Sequence, residues 1–168
     1  TAKEVAITWT NTSLTHNKDQ QKPTATINDG EIFAGDEVNV EVSGAKKRPG
    51  TYTATATLTG GASTNYVINT TMSSVEFVIS NLDIPADPFT IVKVSDGSVA
   101  NANNNHWYNY DIKIIPKDGY KIGTADGGDS DFSNELTITD SKQNYKVFLR
   151  DSFGRYTGEI SIGNTFGN

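Results

Sequence analysis

Cysteine is absent from the 168 residues. No disulfide can staple this chain, and neither a thiolate metal site nor a cysteine nucleophile can exist in it. Methionine occurs once and histidine twice. The two histidines, His16 and His106, fall in different halves of the sequence. Neither stands in a nucleophile elbow, and no H-E-x-x-H, P-loop or G-x-G-x-x-G pattern occurs. The sequence therefore gives no reason to expect an enzyme. Basic residues are in the minority, 14 against 20 acidic ones, for a net charge of −6. A nucleic-acid footprint needs the opposite sign. The one basic run, Lys46-Lys47-Arg48, leads into Pro49-Gly50 and reads as a solvated turn. No apolar stretch approaches the roughly 20 residues that span a bilayer, so membrane insertion is not expected. The chain opens on Thr1 without a signal peptide, as an excerpt of a longer exported precursor would.

What is abundant is threonine, asparagine, serine and glycine, a poor composition for helices. β-Branched and aromatic residues recur with period two, which favours strands. Val5, Ile7 and Trp9 alternate with polar or small residues. Val38, Val40 and Val42 alternate with Glu37, Asn39 and Glu41. Tyr52, Ala54, Ala56 and Leu58 alternate with threonines until Gly60-Gly61 stops the pattern. Tyr66 with Ile68, and Val75 with Phe77 and Ile79, continue it. Turn chemistry lies between, at Asn28-Asp29-Gly30, Gly35-Asp36, Ser43-Gly44 and Pro49-Gly50. Short strands about ten residues apart with turns between them predict β-sandwiches.

Pro85 and Pro88 interrupt any central strand, and the pattern restarts beyond them. Ile91–Val94, Tyr108 to Ile114, Leu136 to Ile138, Tyr145 to Leu149 and Ile160 to Ile162 read as strands, with turns at Pro116–Gly119 and Ser152–Gly154. The expectation is an all-β chain of two tandem immunoglobulin-like β-sandwich domains, residues 1–82 and 83–168, behaving as a monomer.

Two stretches carry candidate chemistry. Asn103 to Tyr110 combines amides with aromatic rings, the means by which proteins hold sugars. Trp107, Tyr108, Asn105 and Asn109 are the candidate ligand-binding residues. The competing reading is that these rings pack the core or a module interface. Asp126-Gly127-Gly128-Asp129-Ser130-Asp131 is the most metal-like stretch. Asp126, Asp129 and Asp131 could offer hard oxygen ligands to Ca²⁺, although the spacing is not that of an EF-hand. The competing reading is an exposed acidic turn, and no other cofactor is expected. Asn11-Thr12-Ser13 and Asn69-Thr70-Thr71 fit the glycosylation pattern. Lys113 between two isoleucines is a conceivable donor for a Lys–Asn crosslink, which requires a buried lysine.

Gly50-Thr51-Tyr52-Thr53-Ala54-Thr55-Ala56, followed by Asn65-Tyr66-Val67-Ile68, resembles the G-x-Y-x-A…NY signature of bacterial immunoglobulin-like repeats of the MBG type. Gly35-Asp36-Glu37-Val38 upstream and Val75–Ile79 downstream fit the same pattern. Trp107–Ile112, Pro116–Tyr120 and Tyr145–Asp151 are similar to a second module of large bacterial surface proteins, from Gram-positive and gut species. The resemblance implies an extracellular spacer or adhesion-supporting role, with no catalytic residues to carry over. The partners it implies are adjacent domains of the same polypeptide, and beyond them a glycan or a host surface protein. Tyr52 and Tyr66 are expected to bury their rings while the hydroxyls reach backbone.

Overall fold

The computed structural model describes residues 1–103, 107–125, 132–140 and 142–165, with backbone alone at 142 and 143. Among the described residues there is no α-helix; the chain is all-β, with several sheets. It divides into two compact units, one of residues 1–15 and 19–80, the other of residues 16–18 and 81–168.

In the first unit the strands are β1 (Lys3–Val5), β2 (Ile7–Thr10), β3 (Ser13–Thr15), β4 (Thr24–Ile27), β5 (Asn39–Ser43), β6 (Gly50–Thr59), β7 (Tyr66–Ile68) and β8 (Ser74–Ser80). β1 pairs in parallel with β7, and β2 pairs antiparallel with β4. Asn11, at φ 56°, then turns the chain into β3, which joins the sheet β3-β8-β6-β5. Asparagine tolerates this left-handed backbone better than most residues. The opening strand thus belongs to both layers.

β6 illustrates why the sequence folds this way. Thr51, Thr53, Thr55 and Thr57 face water, while Ala54 and Ala56 are buried at 0% and 4% exposure. Small alanines let the opposite layer approach, and Phe77 of β8 fills the space with a fully buried ring 5.8 Å from that of Tyr52. Val5, Ile7, Val42, Tyr66, Ile68 and Ile79 complete this core. Gly60 ends the β5–β6 hairpin at φ 107°, where an added Cβ would lie 2.5 Å from the Glu37 carbonyl oxygen. Only glycine fits there. The free edge of β5 is capped, because the Lys22 ammonium donates to the Val42 carbonyl at 2.7 Å. A lysine so placed discourages pairing with another strand.

Tyr66 is buried, and its hydroxyl accepts the Phe33 N–H at 3.1 Å and donates to Asp36 Oδ2 at 2.5 Å. It fastens the loop between β4 and β5. The Tyr52 hydroxyl donates to the Arg48 carbonyl at 2.9 Å and so holds the basic turn. Burial, followed by the Asp36 hydrogen bond, raises the Tyr66 pKa above 10.0. Folding therefore favours the neutral phenol. Its contribution is fully present below pH 10.0 and is lost as pH rises through the higher folded value. The melting temperature of the first unit should fall on alkaline titration, and Tyr66→Phe should flatten that fall. Identical alkaline profiles for the two proteins would remove Tyr66 from the account.

The second unit contains β9 (Phe89–Lys93), β10 (Trp107–Tyr108), β11 (Ile112–Pro116), β12 (Tyr120–Gly123), β13 (Leu136–Ile138), β14 (Lys142–Asp151) and β15 (Ile160–Thr165). They form two sheets, ordered β13-β11-β9 and β10-β15-β14-β12. β10 runs parallel to β15, and the other pairings are antiparallel. Ile112 and Ile114 from one sheet meet Ile122, Val147 and Leu149 from the other, all five at 0% exposure. Thr157 is equally buried. Its hydroxyl accepts the Leu149 N–H at 3.0 Å and donates to the Gly158 carbonyl at 2.9 Å.

The stretch from Tyr108 to Ile114, which reads as one alternating strand, is two strands in different sheets. Pro116 does not open the following turn; it ends β11, opposite Phe89. His16 belongs with the second unit despite its place in the first half, and its buried ring lies 5.4 Å from that of Tyr156.

Candidate functional site

The amide- and aromatic-rich segment lies where β10 meets β15. Trp107 pairs with Asn164 and Tyr108 with Thr165. Asn103 braces this short strand twice: its Oδ1 accepts the Trp107 N–H at 3.0 Å, and its own N–H donates to the Trp107 carbonyl at 2.8 Å.

Tyr108 points inward and is 8% exposed. Tyr110 packs edge-on against it, with ring centroids 6.5 Å apart. Desolvation, and secondarily the neighbouring Tyr110, raises the Tyr108 pKa above 10.0. The Tyr110 hydroxyl accepts the Asn101 N–H at 2.9 Å and donates to the Asn101 carbonyl at 2.7 Å. The Lys93 ammonium sits 4.9 Å from the Tyr110 ring centre. Trp107 is half-buried and Asn109 is exposed. The rings of Tyr108 and Tyr110 are thus engaged in packing and in fastening a loop.

A dent of about 440 Å³ adjoins Tyr108, lined also by Ala102, Asn144, Ser161, Gly163 and Asn164. The Asn164 side-chain oxygen accepts the Asn144 N–H at 2.8 Å, which supports Asn144 at φ 51°. The lining offers neutral hydrogen-bonding groups and no pairing of nucleophile and base. Sequence reasoning did not reach Asn144, Ser161 or Asn164, because only the pairing of β10 with β15 brings them beside Tyr108. A second groove, of about 490 Å³, lies in the first unit between β6 and β7 over Ala56, Leu58 and Ile68.

Of the other sequence candidates, Asn105, His106, Asp126, Asp129 and Asp131 lie outside the described residues. Among the described residues, no group of three or more His, Cys, Asp or Glu is placed to hold a metal ion. Among the described residues, no helix is long and apolar enough to cross a membrane. Lys113 lies on the outer face of β11 and pairs with Glu135 at 3.0 Å, with a third of its side chain exposed. It lacks the burial a crosslink donor needs.

No protein-family model, curated protein or solved structure matches the chain.

Proposed function

We propose that the chain is a non-catalytic, extracellular pair of immunoglobulin-like modules from a larger bacterial cell-surface protein, acting as a spacer. One module is residues 1–82 and the other residues 83–168, and the first is of the MBG type. The strand orders support this reading. In the second unit, β13-β11-β9 opposite β12-β14-β15-β10 matches the immunoglobulin arrangement of strands E-B-A opposite C-F-G, with a further strand beside G. In the first unit the opening strand likewise pairs in one sheet and then runs parallel to the last strand of the other.

The observation that carries the spacer role is this parallel pairing. β3 runs parallel to β8, and in the second unit Leu82 runs parallel to Thr157 and β10 to β15. A chain that comes in and goes out on parallel neighbours has its two ends at opposite ends of the unit. Each such unit adds its own length to a stalk.

The second reading, binding of a glycan or a host surface protein through residues 103–110, draws on the polar dent beside Tyr108. A glycan array probed with the chain and with Trp107→Ala decides between them for glycans. The spacer reading expects no signal above background from either protein. A saccharide bound by the unaltered chain and lost in Trp107→Ala would replace the spacer reading with carbohydrate recognition.

A further inference from the structure

We propose that the Phe153 turn of the second unit docks into the apolar groove on the first unit of another copy, so that crowded copies of the chain associate head to tail. Neither surface has a part in the spacer role.

The knob is a turn held from one residue. β14 ends at Asp151, and the chain returns through Ser152-Phe153-Gly154 to Arg155. The Asp151 N–H donates to the Arg155 carbonyl at 3.0 Å, and the Asp151 carbonyl accepts the Gly154 N–H at 3.1 Å. Its Oδ1 accepts the N–H groups of Phe153 and Arg155 at 3.0 and 2.9 Å. Its Oδ2 accepts the Arg155 Nε–H at 2.7 Å. At the tip Phe153 is 81% exposed, the most exposed large apolar side chain among the described residues. A single exposed apolar side chain is ordinary. This one is held out in water by a turn that does not need it, because the five hydrogen bonds would form around a polar residue as well. A turn already so ordered loses little freedom on binding. The Arg155 guanidinium lies 5.3 Å from the Phe153 ring centre. Asp151 takes its Nε–H, and the terminal amino groups remain as donors for a carboxylate.

The socket is the seam between β6 and β7. These strands follow one another in sequence but lie in different sheets, β6 beside β8 and β7 beside β1. The groove of about 490 Å³ runs along that seam. Ala56 is too small to fill it, and Leu58, Val67 and Ile68 give it apolar walls. An apolar cavity of about 150 Å³ already holds a benzene ring, so a phenylalanine ring has room. Val67 is 46% exposed, apolar surface that the unit itself leaves uncovered. Two exposed acidic residues stand at the margin. Glu4 is opposite Val67 in the β1–β7 register. Glu37 is held beside Ala62, next to the lining residue Ser63, through its carbonyl. The ring thus matches the groove, and the guanidinium matches the carboxylates beside it.

Knob and socket are different surfaces, so the docking is heterologous, and a docked pair still offers one of each. One ring and one ion pair bury far less than the roughly 1,200–2,000 Å² of a stable interface. The chain is therefore a monomer when dilute and associates when crowded.

Sedimentation of the full chain from about 10 µM to about 1 mM spans the weak end of the affinity scale. The weight-average mass should rise with concentration and pass that of a dimer. Phe153→Ala removes the knob, and Val67→Arg places a cation in the socket, where Arg155 is repelled. Both positions are exposed, and fluorescence of Trp9 and Trp107 should report unchanged folding. Each variant alone should stay a monomer. Mixed in equal amounts, the knob of Val67→Arg can enter the socket of Phe153→Ala, and the mass should rise to that of a dimer and stop.

A constant mass for the unaltered chain overturns the proposal. Association of Val67→Arg to the extent of the unaltered chain also overturns it, because the ring would then be docking elsewhere. A mixture that stays monomeric while the unaltered chain associates does the same. If Val67→Arg does not fold, Thr70→Arg takes its place, at an exposed position on the same groove.

Discussion

Replacing Phe77 by alanine is expected to lower the stability of the first unit by about 3–5 kcal/mol, the range for removing a fully buried aromatic ring from a packed core. Phe77 is 0% exposed and stands between the two layers, against Tyr52 and beside Ala54 and Ala56. Those alanines cannot grow to fill the hole. A domain of roughly 80 residues has on the order of 4–12 kcal/mol of stability in all. The substitution therefore removes a large share of it, and on its lower margin unfolds the unit at room temperature. Each unit contains one of the two tryptophans, Trp9 and Trp107. Denaturation followed by fluorescence in Trp107→Phe and Trp9→Phe backgrounds reports each unit separately. Phe77→Ala should shift the Trp9 transition strongly. A loss below about 1 kcal/mol would mean that Phe77 does not fill the core as described.

The corresponding change in the second unit is Leu149→Ala, with an expected loss of about 2–5 kcal/mol. Leu149 is 0% exposed and lies in β14 opposite Ile122 of β12. Its own N–H is held by the Thr157 hydroxyl. The side chain and the backbone bond can be told apart. Thr157→Val keeps the shape but leaves the Leu149 N–H without its acceptor, at a cost of about 1–3 kcal/mol. Leu149→Ala should shift the Trp107 transition by more than Thr157→Val does. The reverse order would place the weight of this region on the hydrogen bond.

Strands with strict alternation were legible in the sequence. Val40 and Val42, Tyr52 to Leu58, and Phe77 and Ile79 fall in β5, β6 and β8, and Tyr145 to Leu149 falls in β14, where Phe148 on the other face is buried as well. Period two is a direct image of a sheet with one dry face. Three strands left no such image. β3 is a three-residue strand whose pattern is too short to stand out, β4 is four residues after Pro23 with Ile27 as its one large apolar side chain, and β12 is Tyr120–Gly123, ending on glycine. Each is specified by its partner more than by its own residues. The same limit explains Tyr108 to Ile114, whose alternation survives a change of sheet: Tyr108, Ile112 and Ile114 are all buried, although β10 and β11 lie in different layers.

The candidate site was legible by residue type and not by surroundings. Sequence alone marked Trp107, Tyr108 and Asn109 as a group able to hold a sugar. It could not say that Tyr108 is 8% exposed, or that the Tyr110 hydroxyl is occupied twice by Asn101. The tyrosines of the signature were more transparent. A tyrosine on the inward side of a strand must place its hydroxyl against something polar, and Tyr66 finds Phe33 and Asp36.

The pairing of the opening strands with the closing ones also sets an order of events in time. Lys3 finds its partner at Tyr66 and Ser13 at Val78, so β1 and β3 have nothing to join until nearly the whole unit has left the ribosome or a translocation pore. Contacts between such distant positions must overcome a large loop-closure entropy before they are rewarded, which makes folding slow. A chain stopped short of Val78 would keep β3 unpaired and open to association with other chains. The first unit is thus assembled in a single late step, when the last strand arrives between β6 and β3.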